Sequence, residues 1–188
     1  KYLKVKYKSN KQIKIINEDA LNFQFNNIDH QKDIVIVGNL PFNISSQLLI
    51  NWLSEEVWPP FYNRMYLMFQ KELANRIIAT KDSKNYGKLS VLTQIRCDVE
   101  KLLIAPSTIF RPKPKIDGIV LGFCPNNNYP DIDFKKLKSI LSDCFNQRRK
   151  KISNTLSLYS SKFNDWNVKK DLRPENLDIN DFYKLSKM

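Results

Sequence analysis

The chain has 188 residues, 42% of them hydrophobic and 12% aromatic, enough for one domain with a sizeable core and a small appended module, and too apolar for a disordered polymer. No apolar run reaches the roughly 18 to 20 residues that span a bilayer and no signal-peptide pattern opens the sequence, so a cytoplasmic protein with no membrane partner is expected. The formal net charge of +12 points to phosphate-bearing partners, nucleic acid first, although lysines on a solvated Lys- and Asn-rich surface give the same count.

In chain order, Ile13 to Ile16 reads as a short strand, with Asp19 at its end. Ile34 to Val37 is the next, a β-branched run of the kind buried in a parallel sheet. A helix follows, with Ser45 or Ser46 as its cap and Leu48, Leu49, Trp52 and Leu53 at helical spacing. Met65 to Phe69 reads as a third strand and Lys71 to Thr80 as a helix with Leu73, Ile77 and Ile78 facing inward. Leu89 to Ile104 contains a long strand. After the turn Arg111-Pro112-Lys113-Pro114, Ile116 to Phe123 returns as a final strand, which implies an antiparallel pair at one edge. Strands alternating with helices predict an α/β sheet.

The composition changes at Pro125-Asn126-Asn127-Asn128-Tyr129-Pro130, a cluster of turn formers. We expect a sheet domain over residues 1–124, a linker over 125–133 and a helical domain over 134–188. In the last, Phe134, Leu137, Ile140, Leu141, Cys144 and Phe145 form one apolar stripe, and Asp133 is placed to cap the helix. Between Lys135 and Lys151 lie seven basic residues against one acid, Asp143, and Arg148, Arg149, Lys150 and Lys151 are the candidate RNA-binding group. Those four also sit where cations complement a helix dipole. Cys97, Cys124 and Cys144 have no metal or disulfide spacing and read as free buried thiols. His30 has no partner for metal or triad chemistry.

The candidate chemistry sits at Asn39-Leu40-Pro41-Phe42, directly after the Ile34–Val37 strand and before a helix, where an open α/β sheet places its ligands. An amide, backbone carbonyls held by a proline, and an aromatic face are suited to gripping a flat base through its amino group.

Seven segments, in this order and spacing, carry a resemblance: Ile16-Asn17-Glu18-Asp19-Ala20-Leu21, Gly38 to Ser45, Phe69-Gln70-Lys71-Glu72, Tyr86 to Val91, Phe110 to Asp117, Asn146 to Lys151, and Arg173-Pro174-Glu175-Asn176-Leu177. The chain resembles the small-subunit ribosomal RNA adenine dimethyltransferases of the KsgA (RsmA) type over nearly its whole length. That resemblance implies a Rossmann-like methyltransferase sheet with a small C-terminal helical domain. It also implies S-adenosylmethionine as cofactor and dimethylation of the N6 amines of two adjacent adenosines in a hairpin near the 3′ end of 16S rRNA. The enzyme would act as a monomer, in ribosome biogenesis, on a preassembled 30S particle. By the family pattern Asn39 and the Leu40 carbonyl accept the two amine N–H groups, with Pro41 fixing the turn. Phe42 and Phe110 stack on the extruded base, and Asp19, with Asn39, serves the cofactor.

The resemblance also implies an N-terminal segment carrying the first two strands and a Gly-rich cofactor loop. Here the four glycines are Gly38, Gly87, Gly118 and Gly122, with no G-x-G. We therefore expect a piece of a longer protein, inactive alone, with a gap in its sheet. Two other functions fit the same residues: a large-subunit rRNA adenine methyltransferase conferring antibiotic resistance, and a non-catalytic rRNA-binding assembly factor.

Overall fold

The computed structural model describes residues 2–23, 25, 33–162 and 171–187. His30 lies outside them. The sheet has four strands: β1 (Val35–Asn39), β2 (Arg64–Gln70), β3 (Cys97–Ala105) and β4 (Gly118–Pro125), in the order β1-β2-β4-β3. β1 and β2 run parallel, joined by helix α2 (Ser45–Leu53), while β4 pairs antiparallel with both β2 and β3. The antiparallel edge expected from the short return is therefore present. Ahead of the sheet is a short helix, α1 (Tyr2–Lys6), with no buried residue.

Two elements differ from expectation. Ile13 to Ile16 is not a strand: it takes no place in the sheet, and Ile13 and Ile16 are 42% and 44% exposed. An apolar run becomes a strand only where another strand offers its backbone groups, and among the described residues none pairs with this one. Nor do Ser45 and Ser46 cap α2. Ile44 occupies the cap position without a side-chain bond, and Ser45 lies one residue inside, donating its hydroxyl to the Phe42 carbonyl at 3.1 Å.

Helix α3 (Lys71–Ile77) follows β2 directly, and α4 (Lys88–Gln94) leads into β3. The core lies on one face of the sheet, where Met65, Leu67, Phe69, Ile119, Leu121 and Phe123 meet Leu48, Leu49 and Leu53 of α2 and Val91 and Leu92 of α4. The other face is open at its β1 margin, where Val37 is 76% exposed.

C-terminal to the sheet are α5 (Phe134–Asn146), α6 (Ile152–Thr155) and α7 (Ile179–Lys187). Asp133 caps α5 as expected, its carboxylate accepting from the Lys136 N–H at 2.8 Å. The α5 stripe packs on α4 and α7, so Leu137, Ile140, Leu141, Phe182 and Leu185 belong to one continuous core with the sheet. Arg96, just before β3, reinforces this seam. Its guanidinium, 4% exposed, lies 4.3 Å from the Trp58 ring and 4.8 Å from the Phe134 ring, a cation between two π faces. Desolvation lowers its pKa from the usual arginine range, with the neighbouring Tyr62 and Cys97 acting in the opposite direction.

No helix among the described residues is long and apolar enough to cross a membrane. Cys97 and Cys144 are buried free thiols as expected, while Cys124 is half-buried. Burial pushes the Cys144 thiol up to about 12.

Candidate base-binding site

Asn39 ends β1, opposite Met68 of β2, and the chain then leaves the sheet edge through Leu40 and Pro41 into α2. Gly38 makes that exit possible. A Cβ there would lie 2.8 Å from Cδ2 of Leu40 and 3.2 Å from Cδ2 of Leu67, so glycine leaves room for the buried Leu40 side chain to fold back beneath the strand, and a larger residue would have to displace those two methyls. Leu40 is thus anchored in the core while Asn39 and Pro41 stay exposed. The turn is closed by the Ile44 N–H donating to the Pro41 carbonyl at 3.1 Å and by the Ser45 hydroxyl on the Phe42 carbonyl. Among the described residues no donor occupies the Asn39 side-chain oxygen or the Leu40 carbonyl.

These residues form one wall of a pocket of about 350 Å³, lined by Asn39, Leu40, Pro41 and Phe42, with Met68 as floor and Phe110, Arg111, Pro112 and Pro114 opposite. It is large enough to admit a nucleobase. Five expected residues, Asn39 to Phe42 and Phe110, therefore converge from two segments distant in sequence. The segment bearing Phe110 is held by Asp117, whose carboxylate accepts from the Ser107 N–H at 2.9 Å and whose carbonyl accepts from the Lys71 N–H at 3.0 Å. Met68 and Gly118 were not singled out from the sequence. A Cβ on Gly118 would lie 3.0 Å from the Met68 sulfur, so glycine leaves Met68 in place. The available signal was register, which sets Met68 beside Asn39.

Asp19 is not brought to this pocket. It is exposed, and its carboxylate accepts from the Leu21 N–H at 3.0 Å and from the Asn22 amide at 3.3 Å, closing a local turn. A larger cleft of about 630 Å³ lies elsewhere, between Ala20, Leu21, Phe23 and Phe25 and the loop ahead of β2. It is lined by Asn51 and Glu55 beside Phe23, Phe25, Trp52 and Phe61, and none of Asn39 to Phe42 or Phe110 lines it. No described cavity joins Asp19 to Asn39, and no glycine turn stands where a nucleotide-like cofactor needs close backbone approach. The described residues fit a base and do not, by themselves, fit a methyl-donor cofactor.

The four candidate RNA-binding cations divide. Arg148 faces inward, its Nε 2.5 Å from Oε2 of Glu175 and its two terminal nitrogens donating to the carbonyls of Lys84 at 2.7 Å and Ser83 at 3.2 Å. Glu175 fixes the same loop through its own carbonyl, which accepts from the Asp82 N–H at 2.8 Å. Lys151 pairs with Asp171 at 2.5 Å on the surface. Arg149 and Lys150 are exposed and make no ion pair among the described residues.

The profile of the family described as "Ribosomal RNA adenine dimethylase" matches residues 1–188. The chain belongs to that family. Its curated relatives include the ribosomal RNA small subunit methyltransferases A of Blochmanniella pennsylvanica, 35% identical over 95% of this chain and 68% of the relative, and of Bradyrhizobium diazoefficiens, 41% identical over 77% and 51%. The chain thus spans just over two-thirds of the first of these relatives and about half of the second. Among solved structures it is similar to a dimethyladenosine transferase from Plasmodium falciparum, with TM-score 0.79 and 25% identity over 98% of this chain and 74% of that one. The 23S rRNA methyltransferase ErmE, with TM-score 0.63 and 19% identity over 100% of this chain and 77% of that one, shares the fold. The sheet is accordingly a Rossmann-like methyltransferase sheet, and membership of this family implies a methyl donor of the S-adenosylmethionine type and an rRNA substrate.

Proposed function

We propose that the protein to which this chain belongs dimethylates the N6 amines of two adjacent adenosines in a hairpin near the 3′ end of small-subunit rRNA, in the cytoplasm, during ribosome biogenesis. The observation that carries this reading is the pocket in which the Asn39 amide and the Leu40 carbonyl, both without partners among the described residues, meet Phe42 and Phe110.

An exocyclic adenine amine is a weak nucleophile because its lone pair is delocalised into the ring. The Asn39 side-chain oxygen and the Leu40 carbonyl accept its two N–H bonds, favour a pyramidal nitrogen, and stabilise the positive charge that grows as a methyl is accepted. Phe42 and Phe110 hold the extruded base, stacking being worth roughly 1–3 kcal/mol per base. Pro41 and the buried Leu40 fix the acceptors beforehand, so little reorganisation is needed when the base enters. S-adenosylmethionine, when bound, would supply the methyl group from its sulfonium. Asp19 and Asn39 are its proposed contacts, and because the described residues offer it no complete pocket, the 188-residue chain alone is proposed to be inactive.

A monomer acting on a preassembled 30S particle completes the reading. Arg149 and Lys150 are the more available part of the basic group for RNA; Arg148 and Lys151 already have acidic partners. The experiment is a methylation assay with the longer protein and small-subunit rRNA, read as N6,N6-dimethyladenosine by mass spectrometry. Asn39→Ala removes most product while RNA affinity falls several-fold at most, and an undiminished rate rejects the site.

A further inference from the structure

We infer that the turn from Phe110 to Asp117 is a phosphate-gripping rim, in which Arg111, Lys113 and Lys115 hold the RNA backbone beside the extruded base. This deepens the pocket's assignment as a base site and rests on it.

Three observations carry it. Arg111 lines the pocket itself together with Pro112 and Pro114, so the turn forms the pocket's wall. Arg111, Lys113 and Lys115 are exposed and make no ion pair among the described residues, unlike Arg148 and Lys151 in the segment with the densest charge. The single acid of the turn, Asp117, is already engaged at both ends: its carboxylate by Ser107 and its carbonyl by Lys71. Three cations against one acid leave the turn net positive at the mouth of a pocket that can admit a base.

The spacing adds a physical reason. Pro112 and Pro114 fix their own φ and hold the residues before them, Arg111 and Lys113, out of the helical region, so the cations are presented on a segment with little freedom to lose on binding. A base seated in the pocket carries its own phosphates on its sugar, and Arg111 in the pocket wall is placed beside them. An Arg fork suits a phosphate bidentately, and lysines add point charge. Single-stranded RNA is the polyanion that also has a base to insert.

The test uses the 188-residue chain and a fluorescein-labelled single-stranded RNA with two adjacent adenosines, read by anisotropy across a salt series. Arg111→Ser/Lys113→Ser/Lys115→Ser should weaken binding roughly tenfold and flatten the slope of log K against log salt by about 2, at about 0.7 per phosphate contact. Neutral methylphosphonate linkages flanking the adenosines should weaken the wild type and leave the triple variant indifferent. Arg149→Ser/Lys150→Ser should keep the wild type's sensitivity to those linkages. The rim is refuted if the triple variant binds like the wild type, or if it keeps the methylphosphonate penalty. Tighter binding of a polyglutamate peptide than of the RNA would also refute it, by assigning the cations to an acidic protein. No RNA binding by the wild-type chain would overturn the base-site reading as well, which separates the two failures.

Discussion

At the end of β1 the Asn39 side chain and the Leu40 carbonyl have no partner among the described residues, while at the seam beneath α5 the arginines are held by groups within the chain. Asn39 and Leu40 present acceptors without a partner among the described residues, beside Arg111, Lys113 and Lys115, which make no ion pair among those residues. At the seam Arg148 makes three bonds to Glu175, Lys84 and Ser83, and Arg96 is packed between Trp58 and Phe134. A charged residue in a motif is therefore not a binding residue until its partners are counted. The Arg148 and Glu175 segments, read separately from the sequence, bind each other and clamp the loop that follows α3.

The sharpest break in this contrast comes from the shared core. Leu141 is fully buried between the helical part and α4, so Leu141→Ala should cost about 2–5 kcal/mol. Chemical denaturation followed by fluorescence and circular dichroism should still give one coincident transition, whereas two would mean that the helical part folds separately. Gly38→Ala forces a methyl against Leu40 and Leu67 and should cost roughly 1–3 kcal/mol, displacing the Asn39 acceptor as it does so. Arg148→Ala removes a part-exposed clamp and should cost roughly 1–2 kcal/mol, after discounting for solvent screening. Its effect on the salt dependence of RNA binding should be smaller than that of the Arg111, Lys113 and Lys115 substitutions. Asn39→Ala, by contrast, should change the thermal midpoint by less than the equivalent of about 0.5 kcal/mol, since the exposed side chain has no partner among the described residues to lose.

The thiols give a pH test of the same packing. Burial holds the Cys144 thiol at about 12, above its ordinary value of 9.0, so its reactive thiolate is scarce in the native protein at mildly alkaline pH. Alkylation at Cys144 should therefore follow global unfolding, and rapid native-state labelling would contradict the burial of α5.

Much of the fold was legible because its signals are local. The Ile34–Val37 run, the Asp133 cap and the α5 stripe each declare themselves within a few residues. What escaped was set by distant partners. Ile13 to Ile16 has a strand's composition and no strand beside it, and Ser45 looks like a cap while Ile44 occupies that position. The base pocket was legible in its two aromatic and amide walls. Its floor was not, because Met68 reaches Asn39 through strand register and Gly118 matters only by what a Cβ would strike. The division of the basic cluster was equally hidden, since Glu175 lies 27 positions from Arg148.

The central claim is that Asn39 and the Leu40 carbonyl grip an adenine through its amine. The most direct measurement compares binding of one single-stranded RNA carrying adenosine at the target position with the same RNA carrying purine riboside, which lacks only that amine, to wild-type chain and to Asn39→Ala. The wild type should prefer adenosine several-fold and Asn39→Ala should lose most of that preference. An equal preference in both proteins would contradict the account.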